Sequence, residues 1–171
     1  MTRVAVIGNA GGGTATLWRT LRTPRHLPWF PVDRLQWKPG WVPATYAEIK
    51  ERHDEILTYT RWIIDGWGPQ DLIVERFAAA DTMIRIDHPL AIHYWWAIKR
   101  HVHCLFSPRL DGPEGCPMVP MTWPLLNMIW DIHYHARPQL LDLVNQYRDR
   151  KQVFHIRSPQ ELQQFVNVYC V

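Results

Sequence analysis

The chain has 171 residues, 47% of them apolar and 20% charged, with a formal charge of +3. This is enough for one domain, residues 1–171, with a sizeable core, and no stretch reaches the roughly 18 apolar residues of a membrane span. Basic residues are spread along the chain rather than clustered, which argues against nucleic acid as the primary ligand. Cys104, Cys116 and Cys170 are odd in number and lack C-x-x-C spacing, so neither a disulfide framework nor a cysteine zinc site is expected. The start Met1-Thr2-Arg3-Val4 enters a strand at once, without the charged and apolar regions of a signal peptide, and a cytoplasmic location is expected.

The first apolar run, Val4-Ala5-Val6-Ile7, reads as a buried strand and leads directly into Gly8-Asn9-Ala10-Gly11-Gly12-Gly13-Thr14-Ala15-Thr16. A phosphate-binding loop reads G-x-x-x-x-G-K-S/T: glycines let backbone N–H groups converge on phosphate oxygens, the Lys bridges the outer phosphates, and the hydroxyl holds Mg²⁺. Gly8 and Gly13 keep that spacing, but Thr14 stands at the Lys position and Ala15 at the hydroxyl position. Shifting the register to use Thr16 puts Ala15 where Lys belongs. What survives is the backbone part, a glycine-rich turn between strand and helix that favours an anion without side chains.

Further runs at Trp29–Val32, Trp62–Ile64, Met83–Ile86 and Val153–Ile156 read as buried strands separated by helix-length segments. That alternation predicts an α/β fold with a parallel sheet and crossover helices. Thr45 with Glu48 forms a capping box ahead of Ile49, Ile56 and Leu57, and Ser158 with Glu161 forms another ahead of Leu162 and Phe165. Pro89 and Pro138 each stand where a proline opens a helix. Residues 106–120 hold four prolines and two glycines without periodicity and read as a long loop, part of a lid over about 100–120. Arginine outnumbers lysine 15 to 4, and no lysine lies in the glycine-rich loop.

Five segments, in order, resemble the small P-loop kinase-like family labelled adenylate-kinase-like or DNA topology modulation protein. They are Val4 to Gly13, Asp33 to Trp41, Arg61 to Gly66, Glu114 to Pro117, and Arg137-Pro138. The resemblance implies a P-loop NTPase fold of the nucleotide- or shikimate-kinase kind: a five-stranded parallel sheet flanked by helices. It implies an ATP site with Mg²⁺ at the first loop, a small-molecule acceptor site beyond the second strand, and an arginine-bearing lid. Family members carry Gly-Lys-Ser/Thr where this chain has Gly13, Thr14 and Ala15, so catalysis is expected to be impaired.

Phosphoryl transfer needs in-line positioning and cations where charge develops. In kinases of this architecture a carboxylate after the second strand orients the acceptor or the water of the metal, the place held here by Asp33; a turn-capping role is the alternative. Asp65-Gly66 closes the third strand at the carboxyl edge, where open α/β folds bind ligands. Asp87 ends the fourth strand and is, with Asp33, a candidate to hold Mg²⁺ through water, or else caps the following helix. Arg100, Arg109 and Arg137 flank the lid as candidates to contact the transferred phosphate. Trp37, Trp41 and Trp67 are candidates to line the acceptor pocket, whereas Trp62, Trp95 and Trp96 read as packing residues. His101 and His103, like His133 and His135, are two apart and do not share a helix face as metal ligands at i, i+3 or i+4 do, so these residues with Cys104 read as helix-surface groups near a lid rather than a zinc site.

Three functional readings stand at this point: an ATP-dependent kinase weakened at its loop, a non-catalytic descendant that binds an anion, nucleotide or partner, and a dinucleotide-binding enzyme. The last rests on Gly8-x-Ala10-x-x-Gly13 with Asp33 about 20 residues further on.

Overall fold

The computed structural model describes residues 1–13, 17, 27–104, 112 and 115–169. Thr14, Ala15, Thr16 and Arg109 lie outside them, as do residues 105–111, 113 and 114 of the segment read as a lid.

Five parallel strands form the sheet: β1 (Arg3–Gly8), β2 (Trp29–Pro31), β5 (Trp62–Asp65), β6 (Thr82–Ile86) and β7 (Gln152–Ile156), in the spatial order β2-β5-β1-β6-β7. Side chains alternate between the faces of a strand, and both faces here are covered. Ala5, Ile7, Trp62, Ile64 and Met83 pack under helices on one side, while Val4, Val6, Ile63, Ile84, Ile86 and Ile156 pack on the other. A sheet covered on both faces produces the continuous apolar runs seen in the sequence. β2 stops at Pro31, one residue before the predicted end, because Val32 opens the short helix α1 (Val32–Gln36).

A two-stranded hairpin, β3 (Trp37–Lys38) with β4 (Val42–Pro43), follows α1 and leads into α2 (Tyr46–Thr58). The Thr45 hydroxyl accepts the Glu48 N–H, and the Glu48 carboxylate accepts the Thr45 N–H. Glu48 also pairs with Lys38 at 2.7 Å, tying the hairpin to the helix. α3 (Gln70–Ala79) joins β5 to β6, and α4 (Leu90–Cys104) leaves β6 just after Pro89. The predicted lid of about 100–120 is therefore helical at its start, and residues 119–121 form a 3-10 turn.

Pro138 does not open a separate helix. α5 (Thr122–Asp131) and α6 (Arg137–Asn145) run on through one π turn, Ile132–Ala136, in which the Arg137 N–H reaches back to the Ile132 carbonyl. Proline cannot donate to the carbonyl four residues back, and the wider turn accommodates the defect. α7 (Pro159–Tyr169) completes the fold; the Ser158 hydroxyl accepts the Glu161 N–H at 3.1 Å, while the Glu161 carboxylate turns back to the Arg157 N–H at 2.7 Å.

The strand order decides one of the three readings. In dinucleotide-binding folds the second strand lies beside the first, so an acid at its end reaches the ligand on the first loop. Here β5 separates β2 from β1, which removes Asp33 from that role and excludes the dinucleotide reading.

Lys151, just before β7, donates to the Phe77, Ala78 and Ala80 carbonyls at 2.7, 2.6 and 2.7 Å and so closes the C-terminus of α3. A cation there complements both the unpaired carbonyls and the helix dipole. Lys151→Met should destabilise the protein by about 2 kcal/mol, read from urea unfolding; a loss under a few tenths would show that water replaces the ammonium.

Candidate functional site

The carboxyl ends of β1, β2, β5 and β6 converge on one edge. β1 lies between the two directions in which the chain winds, which is where open parallel sheets place ligands. In register, Asp65 stands opposite Val6, and Ile86 opposite Gly8.

The glycine-rich loop leaves β1 at Gly8 and is pressed between β6 and α4. A Cβ on Gly8 would stand 2.7 Å from the Ile86 carbonyl oxygen, one on Gly11 2.6 Å from the His93 carbonyl oxygen, and one on Gly13 2.4 Å from the Trp96 ring. Gly11 (φ +71°) and Gly13 (φ +78°) also lie in the left-handed region, where glycine alone is unstrained. Asn9 anchors the turn: its side-chain amide donates to the Ile129 carbonyl at 2.7 Å, and its Oδ1 accepts the Ala10 N–H at 2.8 Å. The Gly12 N–H closes on the Asn9 carbonyl at 3.1 Å. Two of the loop amides are thus engaged within the loop.

Beside the loop opens a cleft of about 590 Å³, within the size range of small-ligand sites. Gly8, Asn9, Ala10 and Gly11 form one wall, and Asp33, Asp65 and Gln36 supply polar groups. Trp37, Trp41 and Trp67 line it, and Arg100 reaches it from α4. Asp33 lies in the first turn of α1, whose N-cap is Pro31 with no side-chain cap bond. Behind Asp65, the buried Arg76 guanidinium donates to the Gly66 carbonyl. Burial lowers the Arg76 pKa to about 10, and the Asp65 charge works against that fall. The Trp67 indole N–H is spent on the Gly8 carbonyl at 2.7 Å, so this ring is fixed to the loop strand.

The hairpin brings together two segments that the sequence left apart. Gly40 (φ +76°) and Trp41 (φ +60°) form a left-handed pair at its tip, and Trp41 is the single positive-φ residue other than glycine among the described residues. A bulky residue there is strained and must be held. The Trp41 backbone N–H donates to Cys116 Sγ at 3.2 Å, its indole N–H to the Pro117 carbonyl at 2.7 Å, and its ring packs edge-on against Trp37 at 5.6 Å. The rest of the cleft is an apolar wall including Met118, Met121, Leu125 and Met128. Met121, Leu125 and Met128 repeat at i, i+4, i+7, a helical signal present in the sequence but not tied there to the site.

Asp87 and Arg137 meet each other. Asp87 accepts from Arg137 Nε at 2.7 Å and Nη2 at 3.0 Å and from His155 Nε2 at 2.8 Å, and Arg85 Nη2 lies 3.3 Å away. Burial would raise the carboxyl pKa, but the hydrogen bonds from His155 and Arg137 and the Arg85 charge hold it well below the usual carboxylate range. A carboxylate with both oxygens on cations is a poor partner for Mg²⁺, which leaves Asp33 as the candidate from the sequence.

Two histidines support the loop from behind. His93 and His88 are each 1% exposed, with rings 5.7 Å apart. His93 Nδ1 lies 3.2 Å from the Ala10 carbonyl, which can only accept, so this nitrogen carries the proton. Burial, with the neighbouring His88, lowers the His93 pKa from 6.5 to about 4. The folded state thus keeps the ring neutral where the unfolded chain would protonate it; this contribution is full above pH 6.5 and is lost as the pH falls toward 4. Melting temperature should drop across that window, and His93→Gln should flatten the slope; an unchanged slope would contradict the burial argument.

No protein-family profile and no curated protein sequence matches the chain. Solved structures do. A gluconokinase from Sinorhizobium meliloti is similar over 99% of this chain and 89% of its own, at 12% identity and a TM-score of 0.55. A sugar kinase from a Janibacter species is similar over 98% of this chain and 94% of its own, at 11% identity and a TM-score of 0.52. Identity this low speaks to architecture, and with the parallel sheet and its flanking helices it shows that the chain has the P-loop kinase fold.

Proposed function

We propose that this protein binds a nucleoside triphosphate at Gly8–Thr16 and a small-molecule acceptor in the adjoining cleft, as a P-loop kinase of weakened catalytic power. The observation that carries the reading is the cleft itself: one continuous space with the glycine loop on one side and Asp33, Asp65 and the hairpin tryptophans on the other. The positive-φ pair Gly11 and Gly13 fits the cradle a phosphate chain requires. The adenylate-kinase-like resemblance belongs to this proposal, as do ATP and Mg²⁺ as ligands. The two similar sugar kinases make a hydroxyl-bearing acceptor the first class to screen.

ATP, when bound, supplies the transferable phosphoryl group, and Mg²⁺ the charge that screens it. The chain contributes backbone N–H groups of the loop to hold phosphate oxygens. Asp33 would orient the acceptor hydroxyl and would hold Mg²⁺ through water, while Asp65 would fix the acceptor. Arg100, reaching the cleft from α4, and Arg109 in the lid contact the transferred group. Arg137 acts only indirectly, through its pairing with Asp87. Trp37 and Trp41 offer an apolar wall to the acceptor. Thr14 places no charge on the outer phosphates, and loss of one such contact costs roughly 10²–10³ in rate.

A non-catalytic role, binding a nucleotide, another anion or a partner, is the second reading, supported by Thr14 and Ala15 standing where the motif has Lys and Ser/Thr. Calorimetric titration separates the two. The kinase reading expects saturable ATP binding that strengthens with Mg²⁺ and is weakened by Asp33→Asn; weak, metal-independent binding with no turnover on any acceptor selects the binding protein. Thr14→Lys with Ala15→Ser should raise ATP affinity and lift turnover by roughly 10²-fold. Unchanged ATP affinity in that double variant would contradict a phosphate-binding loop altogether.

A further inference from the structure

Trp95 is not the packing residue the sequence indicated. It is 64% exposed, and on the same helix Ile98 and Val102 are 50% and 51% exposed. These three repeat at i, i+3, i+7, one narrow stripe along α4. On α5 and its π turn, Trp123 (74%), Trp130 (50%) and Tyr134 (50%) repeat at i, i+7, i+11, and the Trp130 and Tyr134 rings lie 4.4 Å apart.

The two stripes share one face. Tyr94 bonds the Leu126 carbonyl while His101 meets Thr122, so later residues of α4 face earlier residues of α5 and the helices run antiparallel. Each stripe lies one residue, about 100° of turn, past the residues in contact. In an antiparallel pair that step rotates both stripes to the same side.

We infer that this face is a two-fold interface with a second copy of the chain, which pairs two α4–α5 hairpins into a four-helix arrangement. Two observations argue for that occupant. The α4 stripe repeats at i, i+3, i+7 and the α5 stripe at i, i+7, i+11, each with the width of a helix-packing seam and narrower than the broad apolar face of a membrane-surface helix. With aromatic side chains offering on the order of 150–250 Å² each, the six residues present roughly 700 Å², close to the ~800 Å² per partner of a standard interface and above what monomers usually expose. Because Arg100, Leu125 and Met128 line the cleft from these same helices, such pairing would brace the cleft wall. The inference stands independently of the ligand bound there.

Sedimentation equilibrium on the full chain tests it, with Trp95→Glu and Trp123→Glu as variants. The wild type should sediment at twice the 20.3 kDa chain mass, and each variant should shift to monomer while keeping its far-ultraviolet circular dichroism and melting transition. A monomeric wild type at every concentration overturns the inference, including one that co-sediments with phosphatidylserine vesicles, which would assign the face to lipid. Variants that stay dimeric overturn it as well, because the dimer would then use another surface.

Discussion

Everything at the carboxyl edge of the sheet depends on the close approach of the Gly8–Gly13 turn to β6 and α4. Three glycines meet neighbours at distances no Cβ tolerates. With the turn pressed in, Asn9 can reach the Ile129 carbonyl, His93 can bond the Ala10 carbonyl, and the Trp67 indole can reach the Gly8 carbonyl. α5, α4 and the segment after β5 are therefore each pinned to the loop by one buried or half-buried hydrogen bond. The shape of the cleft, among the described residues, follows from that pinning.

Charge near the loop is handled by a separate device. Arg85, Arg137 and His155 converge on one carboxylate, Asp87, on the far side of β1 from the cleft acids. Burying several charged groups together is costly unless each finds a partner, and the short contacts here satisfy that condition. The result is a basic cluster bordering Gly8 and Asn9. Its strongest hydrogen bonds are committed to Asp87.

The strands and most helix starts were legible because each depends on local physics. A sheet covered on both faces leaves uninterrupted apolar runs, and the Thr45–Glu48 box lies within one turn. The hairpin tryptophans were legible as cleft residues because they sit just past β2 at the ligand edge. What was not legible depends on contacts distant in sequence. Asp87 and Arg137 are 50 residues apart, and nothing around either announces the other. Cys116 and Pro117 gave no sign that they hold the strained Trp41. Trp95 and Trp96 are 100° apart on one helix, so only one could turn inward; Trp96 did, against Gly13 and His88, and Trp95 faces outward.

The central claim is that the loop backbone still receives phosphate without the lysine. The most direct measurement is amide chemical-shift perturbation by nuclear magnetic resonance during titration with Mg·ATP. The largest shifts should fall on Gly11, Gly12 and Gly13, with smaller ones at Asp33 and Asp65. Saturating shifts that leave those three glycines unmoved, or no shifts at all, would contradict it.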